Sequence, residues 1–219
     1  MLISCWSAKG GVGTTVVAAA LAVHLARREP AGVLALDLAG DLPIALGCPM
    51  PAGPALADWL AGPGDVPTDA IARLEHAVSP GLSLVHRGPG PLAPARGPML
   101  ARLLASEPRP VVADCGLVDS VGEPSVGRAV AEAASSSLLV TRPCFLAVRR
   151  AVQLDLRPTG VVLVVEDGRA ITSTDIEGAL NVPVVATVRM SPAVARAVDA
   201  GLLISSLPRS LQRDLEHAA

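Results

Sequence analysis

The chain has 219 residues, 51% of them hydrophobic, with a formal net charge of -2, and at that length one α/β domain buries roughly 70% of the surface its unfolded form would expose. No run of like charge could serve as a nucleic-acid or membrane tail, and no apolar stretch is longer than a strand or an ordinary helix, so DNA binding is not favoured and membrane association is at most peripheral. Cys5, Cys48, Cys115 and Cys144 include no C-x-x-C pair, which argues against a zinc site or a disulfide framework.

Without tyrosine and with one phenylalanine and two tryptophans, the core has to be built from Ala, Val, Leu and Ile, which suits helices laid on a parallel sheet. Residues 1–7 read as a short apolar strand, followed by a glycine turn and an Ala-rich helix over 14–28. Residues 33–38 form a second apolar run containing Asp37, and a Pro/Gly-punctuated stretch over 42–67 carries a short helical piece at 55–60. A helix is expected over 68–78, a strand over 82–85, a loop over 87–98 and a helix over 99–106. A strand over 110–113 runs into Asp114, and the alternation continues with a helix near 125–134, a strand at 137–141, a helix at 146–154 and a strand at 160–165. The tail adds a helix at 173–180, a strand at 184–188, and helices at 192–200 and 206–218.

About seven strands alternating with helices imply one three-layer α/β/α domain over residues 1–219, its sheet mostly parallel and of seven to eight strands. Ligands of such sheets bind at the carboxyl ends of the strands. The glycine loop, Asp37 and Asp114 all fall at such ends. The N-terminus lacks a charged region followed by an apolar segment and a cleavage site, so the expectation is a cytoplasmic protein.

Ala8-Lys9-Gly10-Gly11-Val12-Gly13-Thr14-Thr15 follows a strand and opens a helix, the context in which backbone N–H groups and a helix N-terminus cradle phosphate. The Thr15 hydroxyl is placed to ligate Mg²⁺. This loop resembles the deviant Walker A box of the ParA/MinD family of P-loop ATPases, whose signature lysine corresponds to Lys9. The K-G-G-V-G-T-T version, with Thr14 where the usual P-loop lysine stands, looks most like the CpaE/TadZ branch. V-L-A-L-D ending at Asp37 resembles the switch I aspartate, V-V-A-D ending at Asp114 resembles Walker B, S-L-L-V-T-R-P at 137–143 resembles the strand after it, and 171–203 is similar to the family's C-terminal part.

The resemblance implies ATP and Mg²⁺ as cofactors, with Lys9, Gly10, Gly11, Val12, Gly13, Thr14 and Thr15 around the nucleotide and Thr15, Asp37 and Asp114 around the metal. It also implies a homodimer in which Lys9 reaches the partner's phosphates, and a protein partner from pilus assembly or cell division. A location at a pole, a septum or the inner membrane face would follow. Replacing the P-loop lysine by Thr14 removes a charge-assisted contact worth roughly 1.5–3 kcal/mol, so binding is expected to survive and fast hydrolysis is not. Lys9 is the only lysine in the chain.

Departures from the family pattern leave alternatives open. Ala39 stands where a second switch I acid is usual; Asp41 is next available, either to orient a water or to cap a helix. Val165-Glu166-Asp167 stands where many relatives carry an Asn that reads adenine, with the backbone around Arg189 to Pro192 as a suggested substitute. His24, His76, His86 and His217 are dispersed without ligand spacing, and no G-x-S-x-G elbow supports a hydrolase. Trp6 and Trp59 read as core or interface anchors, and the Leu207, Leu211, Leu215 stripe as packing against the domain. No metabolic small-molecule substrate is indicated. Three functions compete: a dimerising switch with weak hydrolysis, a slow partitioning ATPase of chromosome or plasmid, and a nucleotide-free scaffold.

Overall fold

The computed structural model describes residues 1–62, 70–118, 124–166 and 168–218. Strand β1 (Leu2–Ser7) leads through the glycine loop into α1 (Thr14–Ala26), and β2 (Val33–Asp37) into the short α2 (Leu42–Leu46). After α3 (Leu56–Ala61) come β3 (His76–Ser79), β4 (Leu82–Val85) and α4 (Gly97–Ala105). Strands and helices then alternate through β5 (Val111–Leu117), α5 (Val126–Ala133), β6 (Ser136–Thr141), α6 (Phe145–Gln153) and β7 (Gly160–Val165). The described chain closes with α7 (Ser173–Leu180), β8 (Val184–Arg189), α8 (Pro192–Asp199) and α9 (Arg209–Asp214).

Among the described residues the strands form one eight-stranded sheet in the order β3-β4-β2-β5-β1-β6-β7-β8. Its pairings are parallel except β3 with β4. β1 lies inside the sheet, with the strands that follow it in sequence wound to both sides, so its carboxyl end is a switch point where a crevice opens.

Side chains of β1 alternate between two core layers, as pleating requires. Ile3 and Cys5 join α1, α8 and α9 on one face; Leu2 and Trp6 join α4, α5 and α7 on the other. α1 is buried almost all round, and Ala18, Ala19, Ala20 and Ala22 are wholly inaccessible. Alanines let this helix approach the sheet closely, which a core poor in aromatics demands. Trp6 is a core anchor, its indole N–H donating to Ser137 Oγ at 3.0 Å, so the one polar atom of the ring is satisfied. Trp59 is half-buried against the same layer.

Two expected helices differ. The described part of 68–78 is a 3₁₀ turn at Ala72–Leu74 followed by β3, because Pro80 breaks a helix and Gly81, at φ 74°, reverses the chain into an antiparallel hairpin with β4. The last helix is shortened to Arg209–Asp214, since Pro208 pushes Leu207 out of helical conformation. Leu207, Leu211 and Leu215 are buried in the layer that holds α1, so the stripe packs against the domain. No helix of the described residues is long and apolar enough to cross a membrane. His76 and His86, on the two arms of the β3–β4 hairpin, meet edge to face with ring centroids 5.3 Å apart.

Gly47 ends α2 at φ 77°, and a Cβ there would lie 1.8 Å from the Gly201 carbonyl oxygen. Gly47→Ala is therefore expected to cost roughly 2–5 kcal/mol, combining left-handed strain with overpacking against backbone. Urea denaturation of the two proteins checks this.

Candidate functional site

The glycine loop is shaped by its backbone. Gly11 and Gly13 sit at φ 75° and 100°, a region that other residues enter at a cost, and Gly13 is the N-cap of α1. No side chain caps this helix and no acid lies in its first turn, leaving its first N–H groups and positive dipole end for an anion. Positions where Cβ atoms would stand on Gly10 and Gly11 have nothing within 4 Å. Above the loop lies a cavity of about 300 Å³, lined by Gly10, Gly11, Gly13, Thr14 and Thr15 and, from across, by Asp41, Gly116 and Leu117.

Val12 is buried in the α1 core layer and holds the loop down, while Thr14 is buried at the cavity floor. Lys9 does not line this cavity; its Nζ donates to the Gly10 carbonyl at 3.4 Å, at the exposed rim. Thr14 thus puts a neutral hydroxyl at the floor of the cradle, and the chain's one lysine is left outside it.

Strand register supplies the acids. β2 and β5 are neighbours, and Asp37 and Asp114 are partners at the carboxyl edge. Opposite β1 the pairing shifts after Cys5–Asp114, so Trp6 faces Gly116. This bulge bends β5 beside the site. Gly116 at φ 64° returns its N–H to Asp114 Oδ1 at 3.1 Å. Asp37 Oδ1 accepts from the N–H groups of Ala39 and Gly40 at 3.1 and 2.7 Å, which fixes the loop after β2. Arg87 straps that loop from outside, donating to the carbonyls of Leu38 and Ala39 at 3.3 and 3.4 Å. Ala39 packs against Gly116, where an added Cβ would meet it at 3.1 Å.

Both carboxylates are buried, and burial raises both pKa values. For Asp37 the N–H groups of Gly40 and Ala39 pull the other way. Asp114 is pushed up to about 6, by burial first and by the Asp37 charge beside it, against the nearby Thr15 hydroxyl. Its Oδ2 is buried without a hydrogen-bond partner. A bare buried carboxylate oxygen, a second carboxylate in register and a hydroxyl at the helix start fit a hydrated Mg²⁺. Among the described residues no three His, Cys, Asp or Glu side chains gather to hold a metal alone, so a cation at this site would need further oxygens, such as those of phosphate and water, to complete its shell. Asp41 occupies the N-cap of α2 without making a capping bond, and it faces the cavity.

Other expected residues lie apart. Arg189 and Pro192 stand at the carboxyl end of β8, three strands from β1, and the Arg189 N–H is taken by Asp214 at 3.1 Å. Glu166 ends in two ion pairs, with Arg142 at 2.7 Å and Arg169 at 2.9 Å; Asp167 lies outside the described residues. Ser7, Gly116 and Leu117 at the cavity, and Arg87 on its loop, carry no motif by which sequence reading could find them.

No protein-family model matches the chain, and no curated protein matches it. Solved structures do. A ParA family ATPase from Chlorobium tepidum superposes with a TM-score of 0.76 at 22% identity, covering 98% of this chain and 96% of that one. The septum site-determining protein MinD from Pyrococcus horikoshii, complexed with Mg-ADP, gives 0.79 at 19%, covering 99% and 93%. MinD in the MinC:MinD complex of Aquifex aeolicus gives 0.78 at 18%, with the same coverage. The fold is therefore that of the ParA/MinD P-loop ATPases, over their nearly whole length.

The raised Asp114 pKa makes the ligand-free fold bind a proton more tightly than the unfolded chain does. Its contribution to stability is full below the unfolded value of 3.8 and is lost as pH rises through about 6. Asp114→Asn, neutral at every pH, is expected to be more stable than the parent at pH 7.5 by on the order of 1–3 kcal/mol, with the gain gone near pH 4. Denaturant melts in EDTA at both pH values check it.

Proposed function

We propose that this chain is an ATP- and Mg²⁺-dependent switch of the ParA/MinD kind, which dimerises over bound nucleotide, hydrolyses it weakly, and positions or recruits a protein partner. The observation that carries the reading is the open glycine cradle, with Asp114, which keeps a bare oxygen, buried next to Thr15 of its wall and Asp37 in register beside it. Such an arrangement serves a polyphosphate with a divalent cation better than any apolar ligand.

Lys9, held at the rim, is free to enter the phosphate site of a second copy, restoring across the interface the ammonium that Thr14 removes within the subunit. The backbone N–H groups of residues 10–15 hold the phosphates, and Thr15, Asp37 and Asp114 hold the metal, which when bound neutralises phosphate charge. Asp41, uncapped and facing the cavity, is the group able to orient a water. The partner class implied by the CpaE/TadZ resemblance is pilus-assembly or septum machinery; one MinD neighbour is a complex with MinC. A partitioning ATPase shares every feature of the site and differs by salt-sensitive DNA retention. The scaffold reading rests on Thr14, Ala39 and Glu166.

Light scattering after size exclusion separates the switch from the scaffold, and salt-sensitive DNA retention with ATP separates it from the partitioning ATPase. With Mg-ATP the parent is expected to double in mass, and Lys9→Ala to bind ATP and stay monomeric; equal dimerisation of both removes the role given to Lys9. Asp41→Ala is expected to lower phosphate release by about 100-fold or more, with ATP affinity held within a few-fold. Unchanged turnover removes Asp41 from the chemistry.

A further inference from the structure

Accepting the nucleotide-switch reading, turnover rests on Asp41 standing at the cavity wall. Asp41 is exposed and its side chain makes no capping bond, so backbone sets its place. On its far side the Asp41 carbonyl accepts from the Ala45 N–H at 3.0 Å and begins α2. On its near side it hangs on residues 38–40, the turn that leaves β2, in which Ala39 contributes no acid of its own.

The two peptide groups of that turn are held at both ends. The Ala39 and Gly40 N–H groups donate to Asp37 Oδ1, at 3.1 and 2.7 Å. The carbonyls of the same two peptides, those of Leu38 and Ala39, accept from Arg87 Nη1 at 3.3 and 3.4 Å. Each peptide dipole thus lies between a carboxylate at its N–H end and a guanidinium at its C=O end, and both charges favour that orientation. The Leu38 N–H is taken by the Asp114 carbonyl at 2.9 Å. Gly40, at φ 106°, lies along the arginine stem, where an added Cβ would stand 3.7 Å from Arg87 Cδ.

Arg87 is fixed from behind. It follows β4, the neighbour of β2, and its carbonyl accepts from the Ala57 N–H of α3 at 2.9 Å, next to the His86 carbonyl, which accepts from Leu56 at 3.1 Å. Among the described residues no carboxylate forms an ion pair with its guanidinium, so its charge is spent on the turn. Bonds of this length are long for charge-assisted ones, which suits a group that trims the position of a loop rather than one that holds the domain together. A displacement of about 1 Å in a positioned group costs up to about 10²-fold in rate, whereas the phosphate contacts belong to a different loop. We infer that Arg87 is a positioning residue for turnover: by holding the Leu38 and Ala39 carbonyls it keeps Asp41 at the cavity, and nucleotide binding does not require it.

Two readouts test this, one of them without ligand. In the nucleotide-free protein, amide hydrogen exchange over residues 38–42 is expected to run about tenfold faster in Arg87→Ala than in the parent, the worth of one hydrogen bond to a charged group, with exchange in α1 unchanged. With Mg-ATP, the same variant should lose about tenfold or more in single-turnover phosphate release while ATP affinity stays within about threefold. Arg87→Lys, which returns the charge and N–H donors without the planar fork, should recover part of both, and it carries the comparison if Arg87→Ala also loosens α1. Because Arg87 acts through Asp41, adding Arg87→Ala to Asp41→Ala should cost less than about threefold further. Exchange unmoved by either variant, a loss that falls on ATP affinity instead of on release, or losses that multiply in the double variant overturn the inference. If ATP binds and Asp41→Ala slows its hydrolysis while Arg87→Ala does not, the positioning role falls and the switch stands. If the parent binds no ATP, the switch reading falls and this one with it.

Discussion

Two carboxylates kept out of water at the ends of neighbouring parallel strands are the constraint around which this molecule is arranged. Asp37 and Asp114 are register partners, so parallel pairing alone brings their like charges side by side, and burial strengthens the repulsion. The fold offsets this locally: N–H groups of Ala39 and Gly40 turn back onto Asp37, and Gly116 onto Asp114. One oxygen of Asp114 is left bare. A structure that maintains such a feature stores the affinity for a cation that would relieve it, and the uncapped start of α1 beside it does the same for an anion.

The rest of the core makes that edge rigid. α1 carries its loop-facing end as the terminus of a helix buried nearly all round, with alanines against the sheet. Val12 pins the loop below and Arg87 straps the neighbouring loop outside. These contacts combine one core layer with a surface strap, so the cradle keeps its shape through packing rather than through any single bond.

What could be read from sequence was whatever is local. The strand–glycine–helix order, the Ala-rich α1, the strands 5 through 8 and the acids at their ends all follow from periodicity and punctuation within short windows. What could not be read depends on which strands become neighbours. β3 exists because Pro80 and Gly81 fold it onto β4. The pairing of Asp37 with Asp114, the bulge that sets Gly116 against Ala39, the meeting of His76 with His86, and the Arg142–Glu166–Arg169 cluster all join residues from separate elements. Asp41 is an intermediate case: its N-cap position was among the sequence alternatives, and only its missing cap bond and its place on the cavity wall separate the two roles.

On the proposed reading, Thr14 in place of a lysine would divide between two places a task that a single residue performs in other phosphate loops. A buried hydroxyl can complete a hydrogen-bond shell, but it adds no charge, so a lone subunit meets a polyphosphate with backbone dipoles and little else. An ammonium at the rim, on the flexible stem of Lys9, is solvated while the subunit is alone and becomes valuable only where water is expelled, because charge interactions strengthen as the local dielectric falls. Closing a second copy over the site would supply that expulsion. On the proposed reading, the substitution that weakens the isolated cradle would let assembly tighten its hold on the nucleotide, which is a property a switch requires and a metabolic enzyme does not.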